Sequence, residues 1–235
     1  METVAEVMAE LAARGDPRRV RAFAPHGAPD GLLGVSVADM KLIARKIRRR
    51  QELACELYAS GNPDAMYLAG LVVDGSRLSR EQLDWWVRGA TWQMLSEYTV
   101  PRVAAGSRHA RELATRWIDS ADEGVASSGW NTYAGIIAVV PDAELDLAEI
   151  EDLLERIEAG IGAAPNRVRY TMNGFVISVG TYVLPLVDRA KEAARRLGKV
   201  HVEMNGTSCK VPLATAYIEK VERAGRTGRK RRARR

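Results

Sequence analysis

The chain has 235 residues, 46% of them hydrophobic, and a formal net charge of +5, enough for one sizeable core or two small ones. Its two cysteines, Cys55 and Cys209, lie far apart and its three histidines, His26, His109 and His201, are scattered. That matches neither a disulfide framework nor a zinc pattern, so no metal and no cofactor is expected. No apolar run approaches the roughly 18 residues of a membrane span, and the amphipathic start METVAEVMAELAARG is unlike a signal peptide. The expected setting is cytoplasmic, with a nucleoid-associated variant, and without a membrane partner.

The positive charge is unevenly placed. Of the 35 Lys and Arg, eight fall between Arg223 and Arg235, which leaves 27 against 30 acids in residues 1–222, a net of −3. A body of 1–222 as one helical-repeat domain, followed by a disordered basic tail over 223–235, is the expected organisation. Arg229, Lys230, Arg231 and Arg232 in that tail are candidate phosphate contacts of a salt-sensitive, sequence-blind kind. A solubilising terminus is the plainer account of the same residues.

In chain order, Val4, Val7, Met8 and Leu11 recur at helical spacing up to Gly15, and Asp16-Pro17 reads as the cap and first position of a second short helix. Residues 24–34, APHGAPDGLLG, are a loop. Ser36 caps a helix whose later half crowds Lys41, Arg45, Lys46, Arg48, Arg49 and Arg50. Asn62-Pro63 starts a further helix, and Ser79 to Gln82 forms a capping box. The breaker spacing and the lack of strand alternation before Lys199 predict an all-α chain of stacked helical pairs.

Five tryptophans punctuate a protein with two phenylalanines, and most belong in the core because of their area. Trp92, after the break Gly89-Ala90-Thr91 and before Ser96-Glu97, is the best candidate for an aromatic facing a sugar or base; Trp130 is the second. Asp146 starts a regular helix through Ile150, Leu153, Leu154 and Ile157.

The next helix, 165–183, is less regular. Met172, Phe175, Val176, Val179 and Val183 make an apolar stripe, with Asn166, Arg169, Tyr170 and Asn173 beside it. Mid-helix Asn173 and Gly174 are poor helix formers. Two roles fit this polar stripe: satisfied packing between helices, or a functional surface. After Gly198, Val200, Val202 and Met204 alternate with polar residues ahead of Asn205-Gly206, which predicts a small β-hairpin over 199–211. Pro212 opens a last helix.

Taken together, GVSVADMKLIARKI, DWWVRGATWQML, SGWNTYAG, PNRVRYTMNGFVISVGTYV and GKVHVEMNGTSCKVPLATAYI resemble the DNA alkylation repair proteins of HEAT-like repeats (AlkD-like), a branch with its own C-terminal motif. The resemblance runs to about Gly228. It implies a right-handed α-α superhelix whose concave face cradles duplex DNA, in a monomer, and an alkylpurine glycosylase that releases 3-methyladenine or 7-methylguanine. The alternative is a non-catalytic scaffold that binds DNA structures or a protein partner.

An alkylated purine is a cationic leaving group, so a carboxylate and aromatic faces that stabilise an oxocarbenium-like sugar can suffice. The resemblance places one such aromatic at Trp92, the family's Asp at Ser96 and its Arg at Ser127. Both departures weaken the enzyme reading and leave Glu97 as the candidate carboxylate, one residue and about 100° of helix away. The DNA-binding candidates are Trp92, Ser96, Trp130, Asn166, Arg167, Arg169, Asn173 and Lys210, with the four tail cations.

Overall fold

Side-chain caps set where the helices begin. In the computed structural model, which describes residues 1–207 and 209–232, Asp16, Ser36, Asn62 and Asp146 each accept a backbone N–H from the first turn that follows, and Ser79 and Gln82 exchange both bonds of a capping box. Each cap satisfies donors that a helix start leaves open. The helices are α1 (Val4–Ala13), α2 (Pro17–Phe23), α3 (Val37–Lys46), α4 (Gln51–Ala59), α5 (Pro63–Val72), α6 (Arg80–Gly89), α7 (Val100–Ala104), α8 (Ala110–Ile118), α9 (Glu123–Ile137), α10 (Leu147–Gly160), α11 (Asn166–Tyr182), α12 (Val187–Leu197) and α13 (Ala214–Arg223). A π-helical segment, Met94–Thr99, leads into α7.

Successive helices pair: α4 lies on α5, α8 on α9, and α11 on α12. Helix α9 is the hinge of the packing, because it also lies along α11. Its Gly129 lets α8 approach so closely that an added Cβ would stand 2.5 Å from the Ile118 nitrogen and 2.9 Å from the Ala114 carbonyl oxygen. One apolar core collects Leu57, Leu68, Trp86 and Leu95, and a second collects Trp130, Ile150, Phe175 and Val176.

One expectation needs correction. No β-strand occurs among the described residues. The Asn205-Gly206 turn itself is present, with φ of 52° and 71° and the Thr207 N–H donating to the Met204 carbonyl at 3.0 Å. The flanking chain forms no ladder because α11 side chains take its backbone groups. Asn166 Nδ2 donates to the Glu203 carbonyl (2.9 Å) while Asn166 Oδ1 accepts the Glu203 N–H (2.7 Å). Arg169 donates to the His201 carbonyl at 3.1 Å, and Asn173 Nδ2 to the Pro212 carbonyl at 2.9 Å. Residues 199–207 and 209–212 thus form a strap laid over α11.

The segment that follows α13 lies against the body through Arg231. The Gly228 N–H donates to the Thr181 carbonyl (2.8 Å) and the Arg231 N–H to the Ala138 carbonyl (2.7 Å). Lys230 Nζ donates to the Ile137 carbonyl at 2.8 Å and lies 2.6 Å from Asp142 Oδ1, an ion pair without the alignment of a hydrogen bond. An ammonium at the carbonyl end of α9 is where the helix dipole favours a cation, and this local partner is what a charge count along the sequence misses. The last three positions, 233–235, lie outside the described residues.

Candidate functional site

A helix widened to i→i+5 bonding carries an extra residue per turn and leaves carbonyls in need of donors. In Met94–Thr99 those donors are side chains. Thr99 Oγ1 donates to the Met94 carbonyl (3.1 Å), Ser128 Oγ to that of Ser96 (2.6 Å) and Asn131 Nδ2 to that of Glu97 (2.8 Å). Two of the three come from α9, so α9 fixes the direction in which Glu97 leaves the backbone.

Glu97 points at Arg167 in the first turn of α11. Arg167 Nε donates to Oε1 at 2.6 Å and its terminal nitrogen to Oε2 at 2.7 Å, and the Glu97 side chain has 0% exposure. Burial pushes the Glu97 carboxyl above its ordinary range, and the hydrogen bonds and charge of Arg167 oppose that rise. The guanidinium also lies over the Tyr170 ring, 4.5 Å from its centroid. Glu123 Oε1 accepts the Arg167 backbone N–H at 2.7 Å, which fills part of the cap position that Pro165 leaves without a side-chain acceptor.

Beside this pair opens a cleft of about 250 Å³ lined by His26, Trp92, Glu123, Asn166, Arg167 and the strap residues Glu203 to Asn205. Among the residues expected in a site, the structure brings Trp92, Asn166 and Arg167 to this one place. Trp92 is only 5% exposed; its Nε1 donates to the His26 carbonyl at 3.2 Å and its ring meets Phe23 edge to face. The α2 region therefore covers the aromatic face that the sequence left free. Nothing in the sequence signalled Glu123, Glu203 or the His26 carbonyl as cleft residues, since each is brought in from a distant stretch of the chain.

Other candidates are placed elsewhere. Trp130 is fully buried against Phe175 and cannot face a ligand in this fold. Ser96 is buried, its carbonyl taken by Ser128. Asn173 is buried and, like Arg169, holds the strap. Lys210 is exposed on the strap, and Arg229 and Arg232 are exposed near the C-terminus. Lys230 has its head occupied at the end of α9, and Arg231 is anchored through its Nε, which donates to the Tyr182 hydroxyl at 2.6 Å. Ser127, at the place of the expected arginine, is fully buried and its Oγ has no hydrogen-bond partner among the described residues.

The family model described as DNA alkylation repair enzyme matches residues 7–209, nearly the whole chain. The chain belongs to the DNA alkylation repair family. Among its relatives are the uncharacterized proteins Lin0241 of Listeria innocua, 37% identical over 226 residues, and Lmo0209 of Listeria monocytogenes, 36% identical over 226 residues; in both cases 94% of this chain and 97% of the relative are covered. A solved structure described as a new family of proteins related to the HEAT-like repeat DNA glycosylases, with affinity for branched DNA structures, superposes with a TM-score of 0.90. It is 36% identical and covers 99% of both chains. The fold of this DNA alkylation repair family member is accordingly all-helical and HEAT-like.

Within that family, the geometry bears on the chemistry through one acid. A carboxylate that stabilises a developing sugar cation must reach the reacting atoms. Here Glu97, the carboxylate beside the expected position in the sequence, is enclosed and already paired with Arg167, and the nearby Glu123 is engaged by the Arg167 backbone N–H.

Proposed function

We propose that this member of the DNA alkylation repair family binds DNA by its structure, with branched forms preferred over plain duplex, and does not excise bases. The observation that carries the reading is the closed Glu97–Arg167 pair, 2.6 Å and 2.7 Å with no exposed carboxylate surface, in a chain with buried Ser96 and Ser127 at the places of the family's acid and arginine. The affinity for branched DNA described for the superposed protein supports the choice of ligand. Exposed Lys210, Arg229 and Arg232 supply cations for phosphate without sequence preference.

A second reading is favoured by the π-helical turn. Its extra residue offsets the one-position shift between Ser96 and Glu97, and Arg167 supplies from α11 the guanidinium that Ser127 lacks. In that case the pair is the catalytic acid and arginine of an alkylpurine glycosylase, opened when DNA binds.

Two assays on the full chain separate these. Gel shifts on a four-way junction, a fork and a duplex of equal length, at two salt concentrations, are expected to rank the junction tightest at both. Incubation with methylated duplex is expected to release neither 3-methyladenine nor 7-methylguanine above a Glu97→Gln control. Release by the unaltered chain alone establishes the second reading; equal affinity for junction and duplex removes the first.

A further inference from the structure

A second cleft, of about 370 Å³, lies away from Glu97, between α11, α13 and the segment that follows α13. Its polar lining is Ser178, Thr181, Tyr182, Tyr217, Arg226 and Arg231, with Ile177 and Val221 as its apolar wall. No carboxylate lines it, and neither arginine forms an ion pair among the described residues. Two guanidinium groups facing one cleft without a counter-charge repel each other, an arrangement that an anion stabilises.

Arg231 is held ready for such a role. Its backbone N–H donates to the Ala138 carbonyl, its Nε to the Tyr182 hydroxyl, and its guanidinium carbon lies 5.2 Å from the Tyr182 ring centroid. Among the described residues its two terminal nitrogens have no hydrogen-bond or ion-pair partner. Arg226 is fixed at its backbone, with its N–H donating to the Val221 carbonyl at 3.2 Å. A second, independent sign is Thr181, 7% exposed, whose Oγ1 finds no hydrogen-bond partner among the described residues. A buried hydroxyl left unpaired in a cleft wall costs free energy that a ligand oxygen would recover.

Tyr217 gives the cleft its third character. It is 47% exposed, on a helix whose buried face is Ala214, Ile218 and Val221, and so offers an aromatic face at the cleft mouth. Paired cationic forks, hydroxyls and an open aromatic ring in this volume match a phosphate attached to a planar base. We propose that this cleft is a nucleotide-unit site, with the phosphate on Arg226 and Arg231, an oxygen at Thr181 and the base against Tyr217. The unit can come from a single DNA strand or from a free mononucleotide. The site is separate from the Glu97 cleft and does not depend on the branched-DNA reading.

The test uses the full chain and fluorescence anisotropy of a labelled single-stranded thymidine octamer, with 5′-AMP and inorganic phosphate as competitors. Arg226→Gln and Tyr217→Ala, both at exposed positions, are each expected to weaken octamer binding at least 5-fold with melting temperature unchanged; Arg80→Gln, outside the cleft, is the control and leaves it unaltered. Competition by 5′-AMP identifies the free nucleotide as a ligand, and octamer binding without such competition identifies the strand. The proposal is overturned if the unaltered chain binds neither, if both cleft variants bind as the unaltered chain does, or if inorganic phosphate competes as well as 5′-AMP and Tyr217→Ala changes nothing, which would leave an anion site only. Junction binding measured on the same variants stays unchanged if the two clefts act separately.

Discussion

Glu97 and Arg167 stand 70 positions apart in the chain and meet in a two-pronged ion pair that joins the π-helical turn to the first turn of α11. The geometry is that of the strongest side-chain pairing proteins make, yet burial of the acid offsets part of its worth. Removing one partner leaves the other charge buried and uncompensated. Arg167→Met is therefore expected to cost about 3–5 kcal/mol, and Glu97→Gln added to it to recover a good part of that loss. Urea unfolding of both singles and the double supplies the cycle; additive losses would show that the two side chains do not act together.

The strap offers a sharper separation of structure from binding. Asn166 takes both backbone groups of Glu203, as a neighbouring strand would. With Asn166→Ala the Glu203 N–H loses its acceptor, and its amide hydrogen exchange is expected to quicken at least tenfold, while amides in α9 keep their rates because both hydrogen bonds of the Asn166 side chain among the described residues go to Glu203. Equal rates at Glu203 before and after the change would mean that other groups hold the strap.

How much of this was legible in the sequence differs between levels. Caps are local, so Asp16, Ser36, Asn62, Ser79 and Asp146 could be read one turn at a time, and so could the NG turn. The polar stripe of α11 was visible, but its partner was not. The strap's alternation looked like a hairpin because strand periodicity records which side chains alternate, not which groups accept the backbone hydrogen bonds. The same limit hid the partners of the C-terminal segment, which lie at the ends of α9 and α11, and the π-helical turn, whose carbonyls are taken by Ser128 and Asn131 on another helix. Trp92 was placed near the site by resemblance, and its covering by Phe23 and His26 depends on a loop whose path no local pattern gives.

Gly174 puts the mid-helix oddity of α11 to a direct test. A Cβ built there would meet nothing nearer than Asn131 Oδ1 at 4.0 Å, and its φ is not in the left-handed region. Close packing therefore does not require glycine, unlike at Gly129. Gly174→Ala is expected to stabilise the chain by about 0.5–1 kcal/mol, by reducing the freedom of the unfolded state, which in a chain of this size raises Tm by about 1–4 °C. Calorimetry reads the sign. A lower Tm would show that Asn131, which also holds the Glu97 carbonyl, tolerates no added methyl.

Acid sensitivity is expected to centre on a different carboxylate. Glu158 on α10 accepts from both terminal nitrogens of Arg189 on α12 at 2.9 Å each, and from Arg196 at 3.3 Å. Hydrogen bonds from Arg189 are the main cause that holds its carboxyl below the ordinary range, against a smaller opposing effect of burial. A carboxyl with a lower pKa folded than unfolded contributes stability above the unfolded value, about 4.3 for Glu, and loses it as pH falls through the folded value. The unaltered chain should thus lose stability more steeply below about pH 4.3 than Glu158→Gln, which lacks the titrating group and starts from a lower plateau at neutral pH. Urea midpoints across pH 3 to 7 test this, and parallel curves for the two proteins would assign the acid limb to other carboxylates.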